Sequence, residues 1–337
     1  MIVISNCLTE NTDEGCLKVA VNLIRRMKKQ NPQTVVVGYE RRSPLCDEFL
    51  QINKLMLNKK LIRILRRSRE PVLFAPFSAK MRSTALRTWI ISLFARGKVF
   101  LLQPMHSEMT PAAKIFLKFS GARMLLLSHC SWQYYSQFIG DKAVYLKTGV
   151  DTQQFTPCTP EEKISLRKRY GIGENKPVVL HVGHMKTGRN VGVFEALDPR
   201  FHGVLVVSTH NPDAQDSELR RRLSAQENLT LLEGYLPAIE DIYRLADVYL
   251  FPVEEKKSCI DVPLSVLEAA ACGIPVVTTP FREMKVLADN PGFYVLQSFA
   301  DGRWNDLLQK AVTEKKNPRA AVLDYDWDHG ARLLQEI

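Results

Sequence analysis

Short apolar, β-branched runs alternate with helix-period stretches along most of the chain, and this alternation constrains the fold more than any other feature. Strand, helix and strand in succession build βαβ units, whose sheet is mostly parallel and wound with helices. In the first half, strand candidates are residues 2–5, 34–37, 72–76, 99–103, 124–128 and 143–146, with helical stretches at 17–29, 84–95, 112–119 and 132–138. A second series of strands follows at 178–182, 204–208, 229–232, 248–251 and 274–278, with helices between them that include 241–245 and 264–271. The two series are separated by TGVDTQQFTPCTPEEK, residues 148–163, which is rich in Pro, Thr and polar residues and has no period. It reads as the inter-domain connection. The 337 residues leave room for two domains at ~100–200 residues each. The sequence shows no internal repeat at a solenoid period. The expected architecture is α/β: two doubly wound, Rossmann-like domains whose ligand faces, at the carboxyl ends of the strands, meet across a cleft.

Charge is divided as sharply as the strands. Residues 1–150 hold 24 Lys and Arg against 9 Asp and Glu, a net +15, whereas residues 151–337 hold 22 and 27, a net −5. Within residues 51–100 there are 12 basic residues and one acid, Glu70. Two segments there, LMLNKKLIRILRRSRE (55–70) and MRSTALRTWIISLFARGK (81–98), interleave Leu, Ile, Trp and Phe with cations. Such segments can lie on anionic lipid, with apolar groups dipping in and cations at the headgroups. They equally fit apolar residues facing the core and charges facing water. Nucleic acid ranks below a membrane or a phosphorylated acceptor, because neither zinc-finger spacing nor an aromatic RNP pattern is present. The best membrane-span candidate, residues 89–95, is far shorter than the ~20 residues a span needs, and MIVISNC has no basic leader. Seven scattered cysteines without a CxxC argue against a metal site or a disulfide framework. The expected location is the cytoplasm, peripheral on the inner face of the membrane if the basic segments bind lipid.

The most informative local stretch is SCIDVPLSVLEAAACGIPVVTT, residues 258–279. It reads as loop, helix start, short helix, Gly turn and buried strand. Pro263 suits the first helical turn, where its missing N–H costs nothing. Gly273 suits the end of the helix. The helix start, around Leu264 and Ser265, offers free N–H groups and a positive dipole end to a phosphate. Glu268 is then either a helix-surface carboxylate or a group that binds a sugar hydroxyl. The whole arrangement is that of a nucleotide-sugar site.

Other candidates stand at strand ends. VVLHVGHMKTGRN, residues 178–190, runs a strand into Gly183, followed by His184, Lys186 and Arg189. A Gly-linked backbone lets a diphosphate approach and the cations neutralise it; a plain βα turn with exposed basic side chains is the alternative. His106 follows the strand VFLLQP at its carboxyl end, where functional residues collect, although a lone His there is often structural. Gly15 lies in the loop NCLTENTDEGC, which either approaches a phosphate or acceptor or is simply a flexible connection.

Taken together, these motifs resemble the retaining nucleotide-sugar glycosyltransferases of family 4, which have the GT-B fold. TGVDTQQFTP looks like that family's NGVD-x-x-x-F-x-P signature, and VGHMKTGRN like its G-R-L-x-x-x-K-[GN] phosphate loop. GYLPAIEDIYRLADVYLFPV resembles the stretch that leads to the donor site, with its Y-x-x-A-D core. PLSVLEAAACGIPVVTT closely resembles the (P)LSVLEAMACGxPVV element, and DYDWDHGARLL the C-terminal Trp-containing helix. The resemblance covers most of the chain.

It implies a division at residues 1–150 (basic, acceptor side), 151–325 (donor-binding) and a C-terminal helix, 326–337, returning toward the first domain. It implies that Arg189 takes the place of the phosphate-binding Lys and His184 that of an Arg. Glu268 takes the second Glu of E-x7-E, at the donor ribose. His106 resembles the His beside the transferring sugar, and Gly15 the glycine loop near the donor phosphates. The first Glu of E-x7-E falls on Ile260, with Asp261 beside it and Glu254 and Glu255 upstream. The implied activity is transfer of a sugar, with retention, from a nucleoside-diphosphate sugar to a hydroxyl of a glycan or a lipid-linked, cell-envelope acceptor. The departing phosphate meets Arg189, Lys186 and the helix start rather than a metal, so neither metal nor cofactor is expected. Two other readings remain: a GT-B sugar-nucleotide epimerase or phosphorylase, and a weakly active or non-catalytic partner subunit that keeps nucleotide binding, which Ile260 motivates.

Overall fold

A computed structural model of the chain describes residues 1–9, 14–77, 80–207, 216–234, 236–255, 258–300 and 302–336. The chain divides into two compact units. One comprises Met1–Thr148, Ile260–Val262 and Trp327–Ile337; the other comprises Gly149–Cys259 and Pro263–Asp326.

In the first unit the elements are β1 (Ile2–Ser5), α1 (Gly15–Gln30), β2 (Val35–Gly38), β3 (Glu48–Phe49), α2 (Lys59–Arg67), β4 (Val72–Ala75), α3 (Met81–Phe94), β5 (Val99–Gln103), α4 (Pro111–Ser120), β6 (Arg123–Leu126), α5 (His129–Ile139) and β7 (Ala143–Tyr145). Their sheet has the order β3-β2-β1-β4-β5-β6-β7 and every pairing is parallel, with Ile4 opposite both Val37 and Phe74. The strands are buried apolar runs because helices cover both faces. Right-handed crossovers place α2, α3, α4 and α5 side by side on one face and α1 on the other. α1 buries Leu17, Ala20, Leu23, Ile24 and Met27, a helical period, and ends on Lys28 and Lys29, which suit the negative end of its dipole. α4 starts at a Thr110 side chain that caps the Ala113 N–H, with Pro111 in its first turn.

The second unit runs α6 (Pro160–Arg169), β8 (Val178–Gly183), β9 (His202–Val207), α7 (Ser217–Ser224), β10 (Leu229–Glu233), α8 (Ile239–Leu245), β11 (Val248–Phe251), α9 (Leu264–Ala271), β12 (Val276–Thr278), α10 (Met284–Leu287), β13 (Phe293–Val295) and α11 (Trp304–Glu314). Its sheet order is β10-β9-β8-β11-β12-β13, again wholly parallel. A core of Val179, Phe194, Leu205, Leu250, Val277 and Trp304 lies on one face of it. The last helix, α12 (Trp327–Glu336), groups with the first unit and packs on α1, where Gln30 donates to the Asp328 carbonyl at 3.0 Å. Each unit is thus a parallel, doubly wound Rossmann-like sheet, as expected from the strand pattern.

Three expectations change. Residues 148–163 are not all connection: α6 begins at Pro160, closed by a capping box in which Thr159 and Glu162 exchange hydrogen bonds. The basic segment 55–70 contains α2, whose Leu61 and Leu65 are in the core. The strand read at 274–278 starts at Val276, since Pro275 has no N–H to give a ladder. The strand expected at 204–208 runs to Val207, and its last residue lies outside the described ones.

Candidate functional site

In the second sheet the chain leaves β8 for β9 and β10, then returns to β11 on the other side of β8. Successive crossovers therefore diverge there and leave a crevice at the carboxyl ends of β8 and β11. The coil 184–190 that follows β8, and α9, which follows β11 and its loop, carry candidate residues.

The first segment is a tight coil. The Lys186 N–H donates to the His184 carbonyl at 3.0 Å, the Arg189 N–H to the Lys186 carbonyl at 2.9 Å, and the Asp216 N–H to the Met185 carbonyl at 3.0 Å. Met185 is buried and anchors the turn. The coil brings Arg189 back over Gly183: a Cβ on Gly183 would lie 3.7 Å from Arg189 Nη1 and 3.2 Å from His181 Nε2. Arg189 Nε is buried and has no hydrogen-bond partner among the described residues. A desolvated guanidinium donor without an acceptor suits an incoming anion. Gly188 rests on the loop that follows β11: a Cβ there would meet Glu255 Oε2 at 2.0 Å and Ser258 Oγ at 2.1 Å. Those two groups are themselves joined by a 2.7 Å hydrogen bond from Ser258. His184 is buried and Lys186 is half-buried in the same coil.

Across the crevice α9 begins at Leu264. Pro263 is its N-cap rather than a residue of the first turn, with φ −64°, and no side chain caps the helix. The Tyr249 hydroxyl donates to the Val182 carbonyl at 3.2 Å and also hydrogen-bonds Ser265, so one phenol joins the end of β8 to the first turn of α9. Glu268 is only 3% exposed, which removes the reading of a helix-surface carboxylate. Tyr243 donates to its Oε2 at 2.7 Å. Burial, and next the nearby Glu268 charge, push the Tyr243 phenol well above its ordinary pKa, so it stays a donor. Gly273 follows the helix with φ +76°, a left-handed turn that a β-carbon disfavours.

Beneath both lies His181, 2% exposed and stacked on Tyr249 at 6.3 Å. Its Nδ1 donates to the Leu250 carbonyl at 2.9 Å. Burial is the main cause, with the Arg189 charge adding to it, that lowers its pKa to about 4. His181, Tyr243 and Tyr249 thus form a buried layer that holds Gly183, Ser265 and Glu268 in one place. Spacing alone did not single them out, although Tyr243 fills the Tyr of the Y-x-x-A-D core.

The remaining candidates belong to the first unit. His106 follows β5; its N–H donates to Asp261 Oδ1 at 2.9 Å, and its ring lies edge-on to Tyr134 at 4.6 Å. Asp261 is 1% exposed and also accepts from the Ser131 hydroxyl, so it is a structural carboxylate that fixes the His106 loop. Gly15 is the first residue of α1, and a Cβ there would come 3.0 Å from Ile260 Cδ1. Residues 10–13 of its loop lie outside the described ones. Of the two upstream acids, Glu254 is held by the Phe299 N–H at 2.7 Å. Among the described residues, no three His, Cys, Asp or Glu side chains converge on a possible metal position.

Residues 176–303 match the family described as glycosyl transferases group 1, and this stretch contains Gly183, His184, Lys186, Arg189, Leu264, Ser265 and Glu268. The chain is 28% identical over 190 residues to a GDP-mannose-dependent monoacylated alpha-(1-6)-phosphatidylinositol monomannoside mannosyltransferase of Corynebacterium glutamicum. That alignment covers 50% of this chain and 48% of the relative, so the chain spans about half the length of the curated relatives it matches. Among solved structures, a glycosyltransferase from Rickettsia africae superposes with TM-score 0.78 at 12% identity, over 99% of this chain and 97% of that one. Anabaena HepE in complex with UDP superposes with TM-score 0.78 at 14% identity, over 99% and 98%. These likenesses in structure show the GT-B fold.

Proposed function

We propose that this GT-B chain, with its glycosyl transferases group 1 domain, transfers a sugar from a nucleoside-diphosphate sugar to a hydroxyl acceptor with retention, as a family 4 enzyme. The observation that carries the reading is the crevice between β8 and β11. There an unpartnered Arg189 Nε and an uncapped helix start stand beside a buried carboxylate, Glu268. Arg189, Lys186 and the first-turn N–H groups of α9 at Leu264 and Ser265 stabilise the charge that develops on the leaving diphosphate. That charge is met by fixed groups, so the reaction proceeds without a metal or a cofactor. Gly183 lets the diphosphate approach the backbone, His184 supports the same turn, and Glu268 accepts from the donor ribose. In the first unit His106 acts on the sugar side and Gly15 keeps the start of α1 open. The leaving phosphate oxygen takes the acceptor's proton on the same face, so no second carboxylate of the glycosidase kind is required.

The mannosyltransferase relative uses GDP-mannose and acts on a phosphatidylinositol mannoside, and HepE was solved with UDP. They favour GDP-mannose as the first donor to try, UDP-glucose as the second, and a lipid-linked acceptor. A lipid acceptor and the +15 of residues 1–150 favour a cytoplasmic location, peripheral on an anionic membrane reached through residues 55–98. No nucleic-acid partner enters this reading. Among the described residues, no helix is long and apolar enough to cross a membrane.

The test is thermal stabilisation by GDP, UDP, ADP and TDP, each with and without EDTA. An EDTA-insensitive shift with one base, lost in Arg189→Ala and Glu268→Ala, is expected. No shift with any of the four would leave the partner-subunit reading, in which Ile260 marks a lost donor site.

A further inference from the structure

α5 turns one face to the loop that follows β5, with Ser131, Tyr134 and Tyr135 at helical spacing. Tyr135 accepts from the Ser107 N–H and Tyr134 from the Met109 N–H, both at 3.0 Å. These bonds tie down the chain just after His106. The His106 ring lies between the same groups, 5.7 Å from the Tyr135 ring, and its Nδ1 is 3.3 Å from the Ser131 hydroxyl oxygen. Ser131 is fully buried and 25 residues from His106 in sequence, so spacing gave no reason to single it out.

Asp261 stands on the other side of Ser131, and residues 260–262 group with the first unit. The Asp261 N–H donates to the Pro104 carbonyl at 3.1 Å, and its Oδ1 accepts from the His106 N–H at 2.9 Å. Its Oδ2 accepts from the Ser131 hydroxyl and, at 3.4 Å, from the hydroxyl of Ser128, the N-cap of α5. A carboxyl that collects three donors beside a helix start is held ionised. An ionised carboxylate only accepts, and a serine hydroxyl has one hydrogen to give. Ser131 therefore directs that hydrogen to Asp261 and turns a lone pair to His106. The neutral ring must then carry its proton on Nδ1, which leaves the lone pair on Nε2.

We infer that Asp261 and Ser131 are positioning residues that lock neutral His106 in the Nδ1–H tautomer, so that Nε2 accepts a hydrogen bond from a hydroxyl of the transferred sugar. The inference rests on the function proposed above, in which His106 acts on the sugar side, and it names what that side selects. A sugar that presents a hydroxyl there is accepted. One that presents a carboxylate is not, because its charge meets a lone pair. A ring free to move its proton would accept from the first or donate to the second. The chain from Asp261 through Ser131 removes that freedom.

The experiment is nitrogen-15 NMR of the whole chain with labelled histidine at pH 8.5, about two units above an unperturbed imidazole. The His106 signals are those lost in His106→Gln. A protonated Nδ1 and an unprotonated Nε2 are expected in the wild type. Ser131→Ala removes the acceptor, and the ring should shift to the Nε2–H form that an unconstrained imidazole favours. Asp261→Asn should do the same, since its amide donates to Ser131 and turns the serine hydrogen onto Nδ1. Circular dichroism shows that each variant is folded. Calorimetric titration adds a readout that a merely structural role would not move. Ser131→Ala should weaken GDP-mannose or UDP-glucose by about threefold to tenfold and leave the matching free diphosphate unchanged. A protonated Nε2 in the wild type overturns the inference, as does a tautomer that neither variant changes. So does an affinity for the nucleotide sugar that stays unchanged, or that falls no further than that for the diphosphate. If the tautomer follows the variants while no nucleotide sugar or diphosphate binds, the positioning of His106 stands and its sugar partner falls with the transferase reading. If a nucleotide sugar binds while His106 carries its proton on Nε2, the transferase reading stands and this inference falls.

Discussion

The Tyr243 phenol donates a 2.7 Å hydrogen bond to the Glu268 carboxylate, and both groups are buried. Hydrogen bonds to buried charged groups contribute about 1.5–3 kcal/mol each, because the carboxylate has lost its water. Tyr243→Phe is therefore expected to cost about 1–3 kcal/mol in urea unfolding and to weaken nucleoside-diphosphate binding while leaving the fold intact. Unchanged stability would show that Glu268 does not depend on this donor.

Gly188 has no room for a methyl group, since Glu255 Oε2 and Ser258 Oγ occupy that space at 2.0 and 2.1 Å. Gly188→Ala must displace the ends of these two side chains, breaking the hydrogen bond between them, or shift the coil that carries Arg189. A loss of up to about tenfold in diphosphate affinity is expected, for a shift of even an ångström at a charged contact is costly. Calorimetric titration with GDP and UDP checks it, and wild-type affinity would mean that the coil does not bind the phosphates.

His181 makes stability depend on pH. Its folded pKa, about 4, lies below the 6.5 of an unperturbed imidazole, because burial and then Arg189 oppose the charged form. The unfolded chain therefore binds more protons between these values. The contribution of His181 is complete above pH 6.5 and is lost as pH falls toward 4. The loss amounts to about 3 kcal/mol over that window at ~1.4 kcal/mol per unit. Urea unfolding of the wild type and of His181→Leu across pH 7.5 to 4.5 should diverge below pH 6.5 at up to about 1.4 kcal/mol per pH unit. Parallel curves would show that His181 is not the titrating group.

Asp261 accepts from the His106 backbone and the Ser131 hydroxyl. Asp261→Asn retains the shape but removes the charge, so about 1–3 kcal/mol of stability should go, together with a lower turnover through displacement of His106. The paired measurement is thermal unfolding with initial rates once a donor is known. If the rate falls with no loss of stability, Asp261 acts on the reaction more directly than through His106.

The local pattern of residues was enough for the repeating βαβ order, because strands buried on both faces read as continuous apolar runs and helices carry a different period. It was likewise enough for α9 and the Gly273 turn, where Gly ends a helix for a reason of backbone geometry. α6 was missed: T-P-E-E forms its capping box, but a charged helix with little apolar face gave no period to detect. Tertiary structure alone decided the rest. Whether Glu268 faces water or is buried under Tyr243 depends on α8, some 25 residues away in sequence. His181, inside an apolar strand, becomes a buried polar support only because β11 supplies the Leu250 carbonyl and α9 the setting of Tyr249. Apolar residues interleaved with Arg and Lys look the same in sequence whether they enter the core, as Leu61 and Leu65 do, or face outward, as Leu93 and Phe119 do. That distinction rests on which neighbouring helix covers each side chain, a long-range contact that composition and periodicity do not encode.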